Sequence, residues 1–158
     1  MSETIEVGHI VVRSVLMPLQ DVTLILPNAA VSEVISYEAA EQFSLDEQSW
    51  LLGTQVWRQQ IVPLISFERL LDMPFNPEGK RLMVAVCNTL NGNPRRPYIG
   101  LVLSDIPHLI RANLAMIDSV ISGPDTKGLT RGKMKIKGDE LIIPDLDGLE
   151  TRINAMLD

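Results

Sequence analysis

Few residues of this chain have the types and spacing that chemistry requires. Gly128-Leu129-Thr130-Arg131-Gly132-Lys133-Met134 approaches a phosphate-cradling loop. Its spacing is one residue short, and Met134 stands where a hydroxyl must hold Mg²⁺. Asp145-Leu146-Asp147-Gly148 approaches a calcium loop, but Leu149 takes a ligand position and Glu150 replaces the turn glycine. His9 and His108 lie far apart, and neither belongs to a metal-spaced cluster. Cys87, in Leu82-Met83-Val84-Ala85-Val86-Cys87-Asn88, has no His or Lys close before it and reads as a small apolar strand residue. Nothing pairs it with His108. These patterns predict no enzyme, no metal and no cofactor. The remaining chemistry is recognition. Arg58 is a lone charge in the apolar frame Trp50 to Leu71 (WLLGTQVWRQQIVPLISFERLL), with no catalytic partner nearby. Such a charge points to a docking surface.

Composition narrows the partners. A chain of 158 residues is one ordinary domain or two very small ones. Apolar residues make up 46%, enough for a sizeable core, but aromatics are only 4%, so Val, Ile, Leu and Met must fill it. The net charge of −6 lacks the basic footprint of a nucleic-acid binder, and the few aromatics argue against base stacking. A single cysteine forms no intramolecular disulfide. No segment reaches the ~18 consecutive apolar residues of a membrane span, and the acidic start MSETIEVGHI does not resemble a signal peptide. The expectation is a soluble, cytoplasmic protein without direct membrane insertion.

The elements that must position Arg58 are mostly short strands. The sequence predicts a loose tail over 1–9 and strands at Val11–Met17, Val22–Leu26, Val56–Ile65, Leu82–Cys87, Tyr98–Leu103 and Leu141–Ile143. Val31, Val34 and Ile35 form an apolar cluster that fits either a strand or a helical turn. Residues 37–48 read as a loop. Ser49 begins a helical turn carrying Trp50 and Leu51, which Gly53 closes. Pro63 implies an edge, a bulge or a barrel corner. Ser66 caps a short helix over Phe67–Leu71. Residues 73–80 are a linker, and Asn91-Gly92 turns a hairpin loop over 88–97. Ile106, Leu109 and Ile110 follow, and 111–125 stays unassigned. Lys133–Lys137 alternates as an edge strand guarded by lysine, with Met134 and Ile136 inward. Asp147 caps a final helix, with Glu150 completing a capping box and Leu149, Ile153 and Met156 on its apolar face.

The two halves resemble each other. Val22–Leu26 with Val31 parallels Ile99–Leu103 with Ile106, at offsets of 77 and 75 (99 − 22, 106 − 31). Ile61-Val62-Pro63 parallels Ile142-Ile143-Pro144 at 81 (142 − 61). Two related β-rich units of this size cannot each bury much surface, so they should share a core. A groove between them would be a natural binding site.

With these residues in hand, the chain resembles the CheW family of chemotaxis adaptors. The family hallmark of Gly, then Asn-Leu-Arg-Gly, an apolar pair and Pro is matched without a gap from Gly53 to Phe67. Gly100-Leu101-Val102-Leu103-Ser104, Val31-Ser32-Glu33-Val34 and Leu141 to Leu146 resemble further family segments, so the likeness runs from about Val15 to Leu157. This chain departs at Val56 and Gln59, where the hallmark has Asn and Gly, and at Ser66 and Ser104, where it has Asp. The resemblance implies an all-β fold of two packed five-stranded SH3-like β-barrel subdomains, with short helices and a C-terminal helix, in one domain over 10–158. It implies a non-catalytic adaptor between a chemoreceptor cytoplasmic tip and the regulatory domain of a CheA-type histidine kinase, and the departures point to a divergent member serving pili or surface motility rather than flagella. It places partner contacts at Val31, Glu33, Val34, Gly53, Trp57, Arg58, Gln59, Gly100 and Val102. The rival reading is a small-molecule-binding β-barrel sensor, with its pocket between the two units.

Overall fold

The computed structural model describes residues 12–38, 49–77, 80–112, 117–125 and 127–157. The 1–9 tail, His9 and most of the 37–48 loop lie outside them. Among the described residues, eleven strands and two α-helices follow in order. They are β1 (Val12–Pro18), β2 (Thr23–Pro27), β3 (Val31–Ser36), β4 (Leu51–Trp57), β5 (Gln60–Ile65), α1 (Phe67–Leu70), β6 (Met83–Asn88), β7 (Tyr98–Leu103), β8 (His108–Ala112), β9 (Ile117–Ser122), β10 (Thr130–Ile136), β11 (Asp139–Pro144) and α2 (Leu146–Leu157). The fold is all-β, in two sheets. One runs β8-β1-β2-β11-β10-β9 and the other β3-β6-β7-β5-β4.

The repeat is visible in those orders. Reading β3, β6, β7, β5 and β4 against β8, β1, β2, β11 and β10 gives the same layout, and β9 adds a sixth strand to one sheet. Each sheet therefore mixes strands from both halves of the chain. In each, one parallel pair joins the halves, β5 with β7 and β2 with β11.

Burial explains why. β7 sends Ile99, Leu101 and Leu103 into a core shared by both sheets, while Val102 points into a separate apolar cluster inside its own sheet. β2 does the same, with Leu24 and Leu26 in the shared core and Ile25 in the interior of the other sheet. Strands buried on both faces read as unbroken apolar runs, as VTLIL and YIGLVL do. α1 and α2 close the shared core with Phe67, Leu70, Leu146, Leu149 and Ile153.

Several expectations change. Val31–Ser36 is a strand, which settles the open choice there. Leu51–Gly53 belongs to β4 and not to a helical turn. Gly53 has φ 140 where the register shifts between Leu51 and Gly53, so glycine serves a bulge there instead of a helix end. Val56–Ile65 is two strands of a hairpin, not one strand. Pro63 lies in β5, inside its sheet, opposite Thr54. It is tolerated because the described ladder to β7 pairs Leu64 and Ile65, just beyond the missing N–H. The lysines of β10 guard no edge, since β9 pairs beyond them. The repeat offset for the β4–β5 and β10–β11 hairpins is 79 (130 − 51, 139 − 60), not the 81 obtained by matching the prolines.

The helix caps follow the same offset. Ser66 Oγ accepts from Arg69 N at 3.3 Å, as expected. The cap of α2 is Asp145, whose Oδ1 accepts from Gly148 N at 3.1 Å, and not Asp147. Asp147 and Glu150 instead reach the 88–97 loop. Asp147 accepts from Asn91 Nδ2, and Glu150 Oε1 accepts from Leu90 N at 3.1 Å. Glu68 in α1 makes the matching clasp, its Oε2 accepting from Gln20 N at 3.2 Å in the β1–β2 turn. Cys87 is fully buried, and burial pushes its thiol up to about 12, in keeping with an inert core residue.

Burial raises the Glu68 carboxyl above its ordinary value. The folded state thus holds that proton more tightly than the unfolded chain, and stability from this group falls as pH rises above the unfolded value. Glu68→Gln should therefore gain stability over wild type at neutral pH and lose that advantage in acid, as thermal unfolding of the two across pH will read. A second expectation concerns Gly100. A Cβ there would lie 2.8 Å from Leu64 Cδ2 and 2.8 Å from Val84 Cγ1. Gly100→Ala should cost about 1–3 kcal/mol through overpacking, seen as a lower unfolding midpoint.

Candidate functional site

Arg58 and Gln59 form the whole loop of the β4–β5 hairpin, because Trp57 pairs with Gln60. Both have positive φ, 46 and 65. A two-residue turn with positive φ at both positions matches the right-handed twist of its strands and normally uses Asn and Gly. The hallmark glycine position is Gln59 here, yet the backbone keeps the turn. The equivalent β10–β11 turn is Lys137-Gly138, with φ 51 and 86. Each turn thus presents a cation first, and only one of them uses glycine second.

The turn holds Arg58 outward. Its side chain is 70% exposed, and its Nη2 donates to Glu33 Oε1 at 2.7 Å. Its guanidinium also lies 4.9 Å from the centre of the Trp57 ring. Trp57 is buried and meets Tyr98 edge to face at 4.9 Å. Glu33 is on β3 and Arg58 follows β4, which are the two outer strands of their sheet. The sheet therefore curls until its first and last strands meet. Gln55 fastens the closure. Its Nε2 donates to Ser36 O at 2.9 Å and its Oε1 accepts from Glu38 N at 3.1 Å. Gln55 is buried, whereas the Arg58–Glu33 pair sits in water and contributes only about 0–1 kcal/mol. Arg58 is thus held in place without being used up.

The other expected site residues separate. Gln59 is exposed beside Arg58, and Val34 is half-buried on β3 next to Glu33. Val31 is also half-buried but packs against the shared core. Gly53 is buried at its bulge, and Trp57 under its arginine. Gly100 and Val102 correct the sequence reading. Both lie inside the sheet on β7, where glycine allows Leu64 and Val84 to close over it, so neither presents a surface.

Two features were missed. Gln55 carried no signal, because a polar residue in a strand usually faces water. Val56 and Ile61 are cross-strand partners flanking the turn and are 71% and 63% exposed. At the equivalent places in the other hairpin stand Lys135 and Glu140, a paired cation and carboxylate. That contrast marks Val56 and Ile61 as an apolar platform beside Arg58, and the correct repeat register would have revealed it. Among the described residues, no group of His, Cys, Asp and Glu could hold a metal ion.

A family model for the CheW-like domain matches residues 13–153. The chain belongs to the CheW-like domain family. No curated protein sequence matches it significantly. Among solved structures, the crystal structure of the scaffolding protein TtCheW from Thermoanaerobacter tengcongensis is similar. It superposes with a TM-score of 0.68 at 18% identity, over 87% of this chain and 90% of that one. At that identity the likeness is one of fold, and it is the CheW-like arrangement of two sheets. Membership accounts for the hallmark frame from Gly53 to Phe67, and this CheW-like chain carries a turn strained at Gln59.

Gln59→Gly should relieve that strain and stabilise the fold by about 1 kcal/mol, or roughly 2–4 °C in unfolding midpoint. A midpoint that falls would contradict the turn geometry.

Proposed function

We propose that this chain is a non-catalytic chemosensory adaptor that couples a chemoreceptor cytoplasmic tip to the regulatory domain of a CheA-type histidine kinase. Its place of work is the cytoplasm, at receptor arrays on the inner face of the membrane. Family membership over residues 13–153 supports the adaptor role. The observation that carries the contact assignment is the surface at the β4–β5 turn. Arg58 stands exposed with Glu33 beside it and the apolar pair Val56 and Ile61 flanking it. A guanidinium fork with an apolar platform suits a helical partner that offers a carboxylate or free carbonyls beside apolar side chains. Among the described residues no helix is long and apolar enough to cross a membrane, which fits recruitment by a partner. Each sheet interior is filled with side chains such as Trp57, Val62, Leu64 and Val84 in one and Ile25, Ile136 and Leu141 in the other. That packing favours the adaptor over a barrel with an internal ligand cavity.

The measurement is a titration of the purified chain against a receptor-tip fragment and against a kinase regulatory domain. Wild type should bind both. Arg58→Ala should weaken one of the contacts about tenfold, equivalent to about 1.4 kcal/mol. Its unfolding midpoint should barely move, since the ion pair is exposed. Wild type that binds neither partner would sink the reading.

A further inference from the structure

Two open concavities border the six-stranded sheet, and they carry opposite charge. One, of about 610 Å³, is lined by Asp21, Asp139, Glu140 and His108 among others. The second, of about 330 Å³, is lined by Arg13, Asn28, Leu109, Ile110 and Arg111. In a chain with 20 acidic and 14 basic residues, a concavity whose described lining holds two arginines and no carboxylate stands apart.

Arg13 and Arg111 are direct cross-strand partners of β1 and β8. Like charges placed opposite each other destabilise a sheet unless something neutralises them. Elsewhere in this fold most arginines find acceptors, Arg81 being the exception among the described residues. Arg58 has Glu33, Arg131 has Asp145, Arg69 has Ser49 O and Arg152 has Lys127 O. Among the described residues, neither the Arg13 nor the Arg111 guanidinium has a hydrogen-bond or ion-pair partner. Beside them Asn28 adds a side-chain amide. Leu109 is two residues before Arg111, so it shares a strand face with it, and it is 73% exposed. Two planar forks and an amide suit an oxyanion, and the apolar shelf suits an organic body attached to it.

We propose that this concavity binds a small phosphate monoester. Its dianionic head sits between the Arg13 and Arg111 guanidiniums with the Asn28 amide donating to a free oxygen. Its organic body lies on Leu109. The anion supplies the counter-charge that this strand pair lacks, so occupancy stabilises the fold. The site is separate from the Arg58 turn, on the other sheet, and does not depend on the adaptor reading.

The test follows thermal unfolding of the full chain in sodium chloride, inorganic phosphate and phenyl phosphate at equal ionic strength. Phosphate should raise the midpoint above chloride by a few degrees, and phenyl phosphate should raise it further at the same concentration. R13Q/R111Q should show neither rise, and in chloride it should unfold no earlier than wild type because the repulsion is gone. R13K/R111K keeps the charge without the forks and should keep only a fraction of the rise. K133Q/K135Q, which removes two cations elsewhere on the same sheet, should behave as wild type. The proposal is overturned by an undiminished rise in R13Q/R111Q, by an equal loss in K133Q/K135Q, or by wild type that responds to phosphate no more than to chloride.

Discussion

The structure depends on two strands that bury both faces. β2 and β7 each send alternate side chains into the shared core and into the interior of their own sheet. Burying a Leu or Ile side chain is worth about 1.5–3 kcal/mol, and each of these strands places several. Neither half of the chain could bury these residues alone, because each sheet borrows strands from the other half. The parallel pairs β5–β7 and β2–β11 are the joints of that exchange. Gly100 is a close point in it, where a Cβ would meet Leu64 and Val84 at 2.8 Å.

From that interleaving comes the exposed site. Once β7 holds β5, the β4–β5 hairpin must project to the sheet boundary, and the sheet closes when Gln55 reaches Ser36 and Glu38. Closure brings Glu33 against Arg58 although 25 residues separate them in the chain. A buried amide does the fastening, and an exposed ion pair merely orients. This division leaves the guanidinium accessible above a turn tied down by the hydrogen bonds of buried Gln55. The departures from the hallmark act on the same spot. Val56 adds apolar surface beside the arginine, and Gln59 keeps the turn at a cost in strain. Ser66 serves as a helix cap in place of Asp, an exchange that costs little because both side chains accept well from an N–H. Ser104 Oγ is buried and has no hydrogen-bond partner among the described residues.

Much of the fold was legible in the residues. The strands at Val22–Leu26, Leu82–Cys87 and Tyr98–Leu103 stand within a residue or two of their expected limits, because continuous apolar runs between turn residues have few other uses. The Ser66 cap was equally plain, whereas the 88–97 loop makes its hydrogen-bonded turn at Asn93–Arg96, Arg96 N donating to Asn93 O at 3.2 Å, and not at Asn91-Gly92. The β4–β5 turn was not plain, since Arg-Gln carries none of the Gly or Asn that announces such a turn. Two strands therefore merged into one, and the prolines misled the repeat register. The lysine alternation of β10 reads as an edge strand because its partner β9 has a weak pattern. Asp147 has the spacing of a cap, and local spacing cannot tell a capping carboxylate from one that reaches a distant loop.

By itself, the sequence determined the class of elements, the apolar faces, the absence of a complete catalytic or metal motif, and the family frame around Arg58. These are local properties, set by residue type and period. Which strands neighbour one another, that each sheet is shared between halves, that Glu33 meets Arg58 and that Gly100 and Val102 lie hidden were decided only in three dimensions. The reason is physical. Alternation states that a strand has two buried faces, but not which surfaces will cover them. That choice belongs to the packing of the whole chain, and it is what turned a charge in an apolar frame into an arginine held ready at the mouth of a closed sheet.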